Sequence, residues 1–351
     1  MKLSLKKLFD IGKEQLLGLD IGSSAVKIVQ LQKNNGAGFT VTAAGLVEID
    51  KKASDNADAD INVIRAIRSC FNSSNAHTQL AVCSVCGPEV AIRTFKFPSL
   101  PADEVAGAVM LEAAQVCPFN VNDSAVDYQL IENGQNMLSG VLAASTDKLV
   151  TKKKWLAEEA SLKTALVDVD GLALLNCLQY LGKVEPGSTA VVLNIGFTHS
   201  TLAIIGEDNL PFVRDIAYAG NDIITRIAEK TNKQPDYVRA VLTDSENRQP
   251  FTAELADNLA LASQRLIDEV SETIRYYTAN AKFVIKDIYL CGGFALVKEF
   301  VQLLNSQINA NIVVWNPFDD IKFQPVPRLD ELLRKKGPAL AVAAGLALRS
   351  V

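Results

Sequence analysis

One short pattern occurs twice in this chain, and it limits the possible folds more than any other feature. Leu19-Asp20-Ile21-Gly22-Ser23-Ser24 and Leu193-Asn194-Ile195-Gly196-Phe197-Thr198 each lie between two apolar runs, the second of which spans Ala25 to Leu31 and Leu202 to Ile205 respectively. Each therefore predicts strand, tight glycine turn, strand. Glycine and small hydroxyl residues at such a turn leave backbone N–H groups free to surround an anion, and an Asp at the strand end can hold Mg²⁺ through water. Two such turns in two halves of a chain are placed to grip one polyphosphate from both sides.

With 351 residues, the chain has length for two domains, each with its own core. A net charge of −5 argues against nucleic acid as a partner. The N-terminus has no continuous apolar core of the signal-peptide kind, and the longest apolar run, Ala339 to Leu348, is too short to span a bilayer, so a cytoplasmic location is expected. The six cysteines (70, 83, 86, 117, 177 and 291) are scattered among apolar neighbours, as suits reduced, buried thiols. Cys83 and Cys86 form the one C-x-x-C, but no second pair completes a zinc site.

Residues 1–15 form a basic amphipathic leader, with Lys2, Lys6, Lys7 and Lys13 between Leu3, Leu5, Leu8, Phe9 and Ile11. Its alternatives are a surface for membrane or partner and a plain leader before the first strand. Strands are expected at 16–21, 25–33 and 38–49, a polar loop at 50–60, a helix at 60–72 and a strand at 79–86. From Arg93 the texture changes: Phe95 to Pro101 leads into a helix ending near Val116, and Val126–Glu132 and Met137–Ala144 make a hairpin around Asn133-Gly134. The Met110, Leu111, Val116, Phe119 stripe is expected as the core of this small inserted unit, with the lining of a peptide groove as its alternative. A helix at 147–160, a strand at 164–169 and a helix at 171–181 follow; Asp168 and Asp170 at the strand end are placed either near Mg²⁺ or, for Asp170, as the cap of the helix that starts at Gly171. Lys183 to Ser188 is the linker candidate, after which strand, turn and strand begin again. Helices near 221–231, 235–243 and 252–281 precede a buried strand that ends at Cys291-Gly292-Gly293-Phe294, a glycine pair suited to close backbone approach by a ligand. A buried helix spans Pro338 to Arg349.

Two Asp-x-Gly-type turns followed by this Gly-Gly turn resemble, in order and spacing, the actin/Hsp70/sugar-kinase ATPase superfamily. Leu17 to Lys27, Glu112-Ala113-Ala114-Gln115 with Pro118-Phe119, Asp127-Tyr128, Asn316-Pro317-Phe318 and the tail Ala341 to Leu348 are similar within it to the PilM family of type IV pilus assembly proteins, relatives of FtsA. The resemblance implies an α/β actin-like (ribonuclease-H-like) fold of two domains with the extra subdomain called 1C. It places 1A at 16–92 and 143–184, 1C at 93–142, 2A and 2B at 185–337, and a last helix at 338–351 that returns to 1A. It further implies ATP and Mg²⁺ as cofactors, with Asp20 holding the metal through water. Asp20, Gly22, Ser23, Ser24, Lys27, Gly196, Thr198, Ser200, Gly220, Gly292, Gly293 and Phe294 would line the nucleotide, with Lys27 seven residues after Asp20, where actin-like members place a phosphate-reaching lysine. The hydroxyls of Thr198, Ser200 and Thr201 either touch phosphate or satisfy strand edges. The partners implied are the N-terminal cytoplasmic peptide of a PilN-like inner-membrane protein and other proteins of the pilus alignment complex, with the chain peripheral on the inner face of the inner membrane.

Three departures bear on chemistry. Asn194 stands where the superfamily has an Asp, and an amide cannot accept a proton as a base does. Ala114 replaces an acid in the family's Glu-Ala-Glu-Gln run, leaving Glu112 as the acid there, and Glu272 replaces an Arg before the adenosine loop. Binding with at most slow hydrolysis is the expectation. The rival readings are a sugar-kinase-like phosphotransferase, for which the second turn lacks a base, and an FtsA-like division filament protein, which would end on a membrane-targeting amphipathic helix. His77 and His199 have no metal or triad partner nearby in sequence and are expected as ordinary surface or core residues.

Overall fold

A computed structural model describes residues 15–34, 38–50, 56–131, 137–181, 189–243, 251–279, 285–323 and 327–349. Residues 1–14 of the leader, the Asn133-Gly134 turn and the 183–188 linker lie outside the described residues.

The chain runs β1 (Leu17–Ile21), β2 (Ala25–Lys33), β3 (Phe39–Glu48), α1 (Asn56–Ser74), β4 (Leu80–Val85), β5 (Val90–Pro98), α2 (Val105–Val116), β6 (Ser124–Ile131), β7 (Met137–Thr146), α3 (Asp147–Glu159), β8 (Lys163–Val169) and α4 (Asp170–Leu181). It continues β9 (Ala190–Ile195), β10 (Ser200–Ile205), β11 (Pro211–Ile216), α5 (Gly220–Thr231), α6 (Pro235–Thr243), α7 (Ala253–Ala279), β12 (Asp287–Cys291), α8 (Lys298–Gln307), β13 (Asn311–Val314), β14 (Lys322–Phe323), α9 (Pro327–Lys336) and α10 (Ala341–Ala347). Among the described residues the strands form three sheets, in the orders β14-β3-β2-β1-β4-β8, β11-β10-β9-β12-β13 and β5-β7-β6. The first two share one plan: an antiparallel hairpin and its third strand, then strands parallel to the hairpin's first. The third sheet is inserted between β4 and α3.

Apolar residues set these layers. In α7, Leu255, Leu259, Ala262, Leu266 and Val270 recur at helical spacing and are buried against the second sheet's core. α4 is buried along Asp170 to Leu178 because it contacts α10 on one side and β10 and β11 of the second domain on the other. Two elements differ from the sequence expectation. The segment from Arg93 to Pro98 belongs to β5, an edge strand paired with β7, in which Ala91, Ile92 and Phe95 are buried. Of the expected apolar stripe, Leu111 and Met110 face outward, 69% and 43% exposed, while Val116 packs on the insert's core, whose α2 face is Val105, Val109 and Ala113 at i, i+4 and i+8.

The last helix packs against α4, β1 and β2. A Cβ on Gly345 would lie 1.9 Å from the Ala173 carbonyl oxygen, so α10 and α4 touch backbone to backbone. Arg349, just after α10, reaches Asp168 on β8 through two hydrogen bonds, Nε to Oδ2 at 2.5 Å and a terminal guanidinium nitrogen to Oδ1 at 2.8 Å. No helix among the described residues is long and apolar enough to cross a membrane.

Candidate functional site

The two repeated turns have the same geometry. Gly22 N–H donates to the Ala25 carbonyl at 3.1 Å, and Gly196 N–H donates to the His199 carbonyl at 3.1 Å. Hairpin register then explains a spacing that the sequence leaves bare: Asp20 pairs directly with Lys27 across β1 and β2, as Asn194 pairs with Thr201 across β9 and β10. The Lys27 ammonium meets the Asp20 carboxylate at 2.9 Å. Burial works against the charge on Lys27, but Asp20 outweighs it and holds the group above its ordinary range. In the second hairpin Thr201 takes the lysine's place and donates its hydroxyl to Asp215 at 2.6 Å.

The turns face each other across a cavity of about 310 Å³. It brings together Asp20, Gly22, Ser23, Ser24, Lys27, Asn194, Gly196, Thr198, Gly292 and Gly293. Thr198 donates its hydroxyl to Ser23 at 3.0 Å, joining the two turns directly. A second cavity of about 190 Å³ shares Ser24, Lys27, Gly196 and Gly293 with the first and is lined further by Gly220, Ile224, Phe294 and Leu296. The start of α5 is tied to the second turn, with Gly220 N–H donating to the Gly196 carbonyl at 3.2 Å. Gly292 has φ +93°, in the region that favours glycine, and turns the chain at the end of β12.

Two expected residues stand apart. Ser200 is fully buried and donates its hydroxyl to the Tyr218 carbonyl at 2.8 Å, so it satisfies a strand rather than facing either cavity. Glu112 is half-buried on α2 and lines neither cavity.

Four residues that motif reasoning passed over, or read otherwise, complete the cleft. Lys153 of α3 reaches in and donates to the Ile21 carbonyl at 2.6 Å. Asp170, weighed both as a neighbour of Mg²⁺ and as a helix cap, lines the first cavity; burial and the nearby Asp20 charge push its carboxyl up to about 7, against the pull of a Ser84 hydrogen bond and Lys153. Arg239 lies over the Phe197 ring at 4.9 Å in the second cavity, and its buried Nε has no partner among the described residues. Lys336 adds a further cation there. All four come from helices far from the glycine turns in sequence.

This geometry fits a nucleoside triphosphate. A Cβ on Gly22 would lie 2.9 Å from the Ala25 carbonyl oxygen and one on Gly196 2.8 Å from that of His199, while one on Gly293 would meet nothing within 4 Å. A side chain at Gly22 or Gly196 would crowd its own turn, and Gly293 borders open space in the cavity. Two domains that each present a glycine hairpin to a shared cleft define the actin-like ATPase fold. The model for the Type IV pilus assembly protein PilM matches residues 18–351, and the chain belongs to that family.

Solved structures agree on the fold. A chain of a PilM-PilN type IV pilus biogenesis complex superposes with a TM-score of 0.81 at 23% identity, covering 96% of this chain and 99% of that one. The ethanolamine utilization protein EutJ from Carboxydothermus hydrogenoformans gives 0.52 at 10% identity over 99% of this chain and 94% of that one. MreB 5 of Spiroplasma citri, bound to AMPPNP, gives 0.50 at 12% identity over 95% of both.

Proposed function

We propose that the chain is a cytoplasmic ATP-binding component of a type IV pilus or related assembly complex and that it captures the N-terminal peptide of a PilN-like inner-membrane protein. The paired glycine turns facing one cleft carry the nucleotide part of this reading. The turns at Gly22 and Gly196 would hold the phosphates, with Lys27 and Lys153 as counter-charges, and Asp20 would hold the magnesium ion. Gly220, Phe294 and Arg239 of the second cavity would hold the nucleoside. When bound, MgATP supplies a triphosphate whose charge the cleft cations and the metal offset.

MgATP is expected to raise the melting temperature, because a ligand that binds only the folded state stabilises it by mass action. Asp20→Ala should weaken this shift by removing charge, and Gly293→Trp should abolish it by filling space shared by both cavities. No ATP-dependent shift in the parent chain would sink the nucleotide reading.

A groove of about 830 Å³ between the third sheet and the second domain is a fitting place for the peptide. β5 and β11 are edge strands of their sheets and both line it. An extended peptide gains main-chain hydrogen bonds at such an edge, while Val90, Ile92, Phe212 and Tyr276 offer apolar contacts. Tyr276 is 66% exposed, so Tyr276→Glu leaves the core alone. Isothermal titration with the cytoplasmic N-terminal peptide of the PilN-like protein from the same organism should show it binding about tenfold or more weakly to this variant. Equal affinity would place the peptide elsewhere.

A further inference from the structure

The nucleotide cleft and the β5–β11 groove share a wall. His199 lines both, and it is the residue between the Thr198 turn and β10. Its Nδ1 is hydrogen-bonded to the Thr198 hydroxyl at 3.0 Å. The other side of the ring packs on Gly87, where a Cβ would lie 3.2 Å from Nε2. Gly87 N–H in turn donates to Asp215 at 2.7 Å, and Asp215 also holds Thr201. A continuous chain of contacts therefore runs from Ser23 in the cleft, through Thr198, His199 and Gly87, to Asp215 in the groove, crossing between the two domains.

We propose that a nucleoside triphosphate in the cleft and a peptide in the groove are negatively linked through Thr198 and His199. The inference rests on the nucleotide and peptide readings above and extends them to regulation. The switching element is the Thr198 hydroxyl. In the arrangement described it bonds Ser23 across the cleft and steadies the His199 ring against Gly87. A terminal phosphate held between the Gly22 and Gly196 turns competes with Ser23 for the proton of that hydroxyl, and the side-chain rotation that carries Thr198 to the phosphate draws its oxygen away from the His199 ring. The Gly87–Asp215 wall then loosens and the groove becomes a poorer template for a strand. A diphosphate leaves the Ser23–Thr198–His199 arrangement in place. By linkage, a peptide that fixes the groove wall opposes the triphosphate by the same factor.

Hydrogen exchange on the full chain tests this with ADP and with AMPPNP, each with magnesium, because exchange reports local opening of backbone hydrogen bonds. Amides at 87–94 and 211–217 should exchange about fivefold or more faster with AMPPNP than with ADP. His199→Ala should remove the difference, and His199→Gln, whose amide can still meet Thr198, should restore part of it. If His199→Ala folds poorly, Thr201→Val interrupts the same wall at Asp215 and should also reduce the difference. Thermal shifts run alongside report whether each nucleotide is bound. Equal exchange with both nucleotides bound, or an undiminished difference in His199→Ala, overturns the linkage alone; failure of either nucleotide to bind the parent chain overturns the nucleotide reading with it.

Discussion

Asp168→Ala should lower the stability of the chain by about 3–5 kcal/mol, the usual cost of removing one partner from a buried ion pair. Both side chains are almost wholly buried, Asp168 at 0% and Arg349 at 3% exposure, and the guanidinium bonds both carboxylate oxygens. Without Asp168, the charge on Arg349 is left in an apolar interior beside α4 and α10, where water cannot compensate it. The loss is a large share of the roughly 5–15 kcal/mol that keeps a typical domain folded. It should appear in urea melts as an earlier transition. The double variant Asp168→Leu with Arg349→Met should recover much of the stability, because exchanging a whole buried pair for apolar groups is often near neutral. A single variant that melts with the parent would show that the pair does not hold the last helix in place.

That pair also marks a limit of what the sequence shows. Asp168 and Arg349 are 181 residues apart, and no local pattern joins them. The glycine hairpins were legible because their information is local: a turn, two strands and a seven-residue interval that the antiparallel register converts into the Asp20–Lys27 contact. The burial of α10 was legible for a similar reason, since a segment so poor in polar residues has no solvent-facing side. Where several long-range contacts decide the outcome, the reading was incomplete. On α2, small and apolar residues surround the helix, so hydrophobicity alone did not identify the Val105, Val109, Ala113 face as the buried one. β5 was hidden by the prolines at 98 and 101 and by exposed Arg93 and Lys96, all compatible with an edge strand. His199 looked ordinary in sequence, and its interest comes from Gly87, which belongs to the other domain.

Asn194→Asp should raise ATP hydrolysis, by up to about 10²–10⁴-fold, the range over which a positioned acid or base acts. Asn194 lines the first cavity at the end of β9, opposite the Asp20 hairpin, and as an amide it brings no charge and no basic oxygen. The parent cleft still holds a group suited to proton transfer. The Asp170 carboxyl, raised by burial and by the Asp20 charge, lines the same cavity and would be the proton acceptor there. What the parent lacks is a second fixed carboxylate to orient the metal or water, and the substitution supplies it while leaving the backbone of the turn unchanged. The gain should therefore depend on Asp170: Asn194→Asp combined with Asp170→Asn should fall back toward the parent rate. Steady-state phosphate release measured for the parent and both variants separates the possibilities. Brisk turnover by the parent would mean that Asp170 and the backbone of the turns suffice without an acid at 194, and an unchanged rate in Asn194→Asp would mean that this position does not face the reacting phosphate.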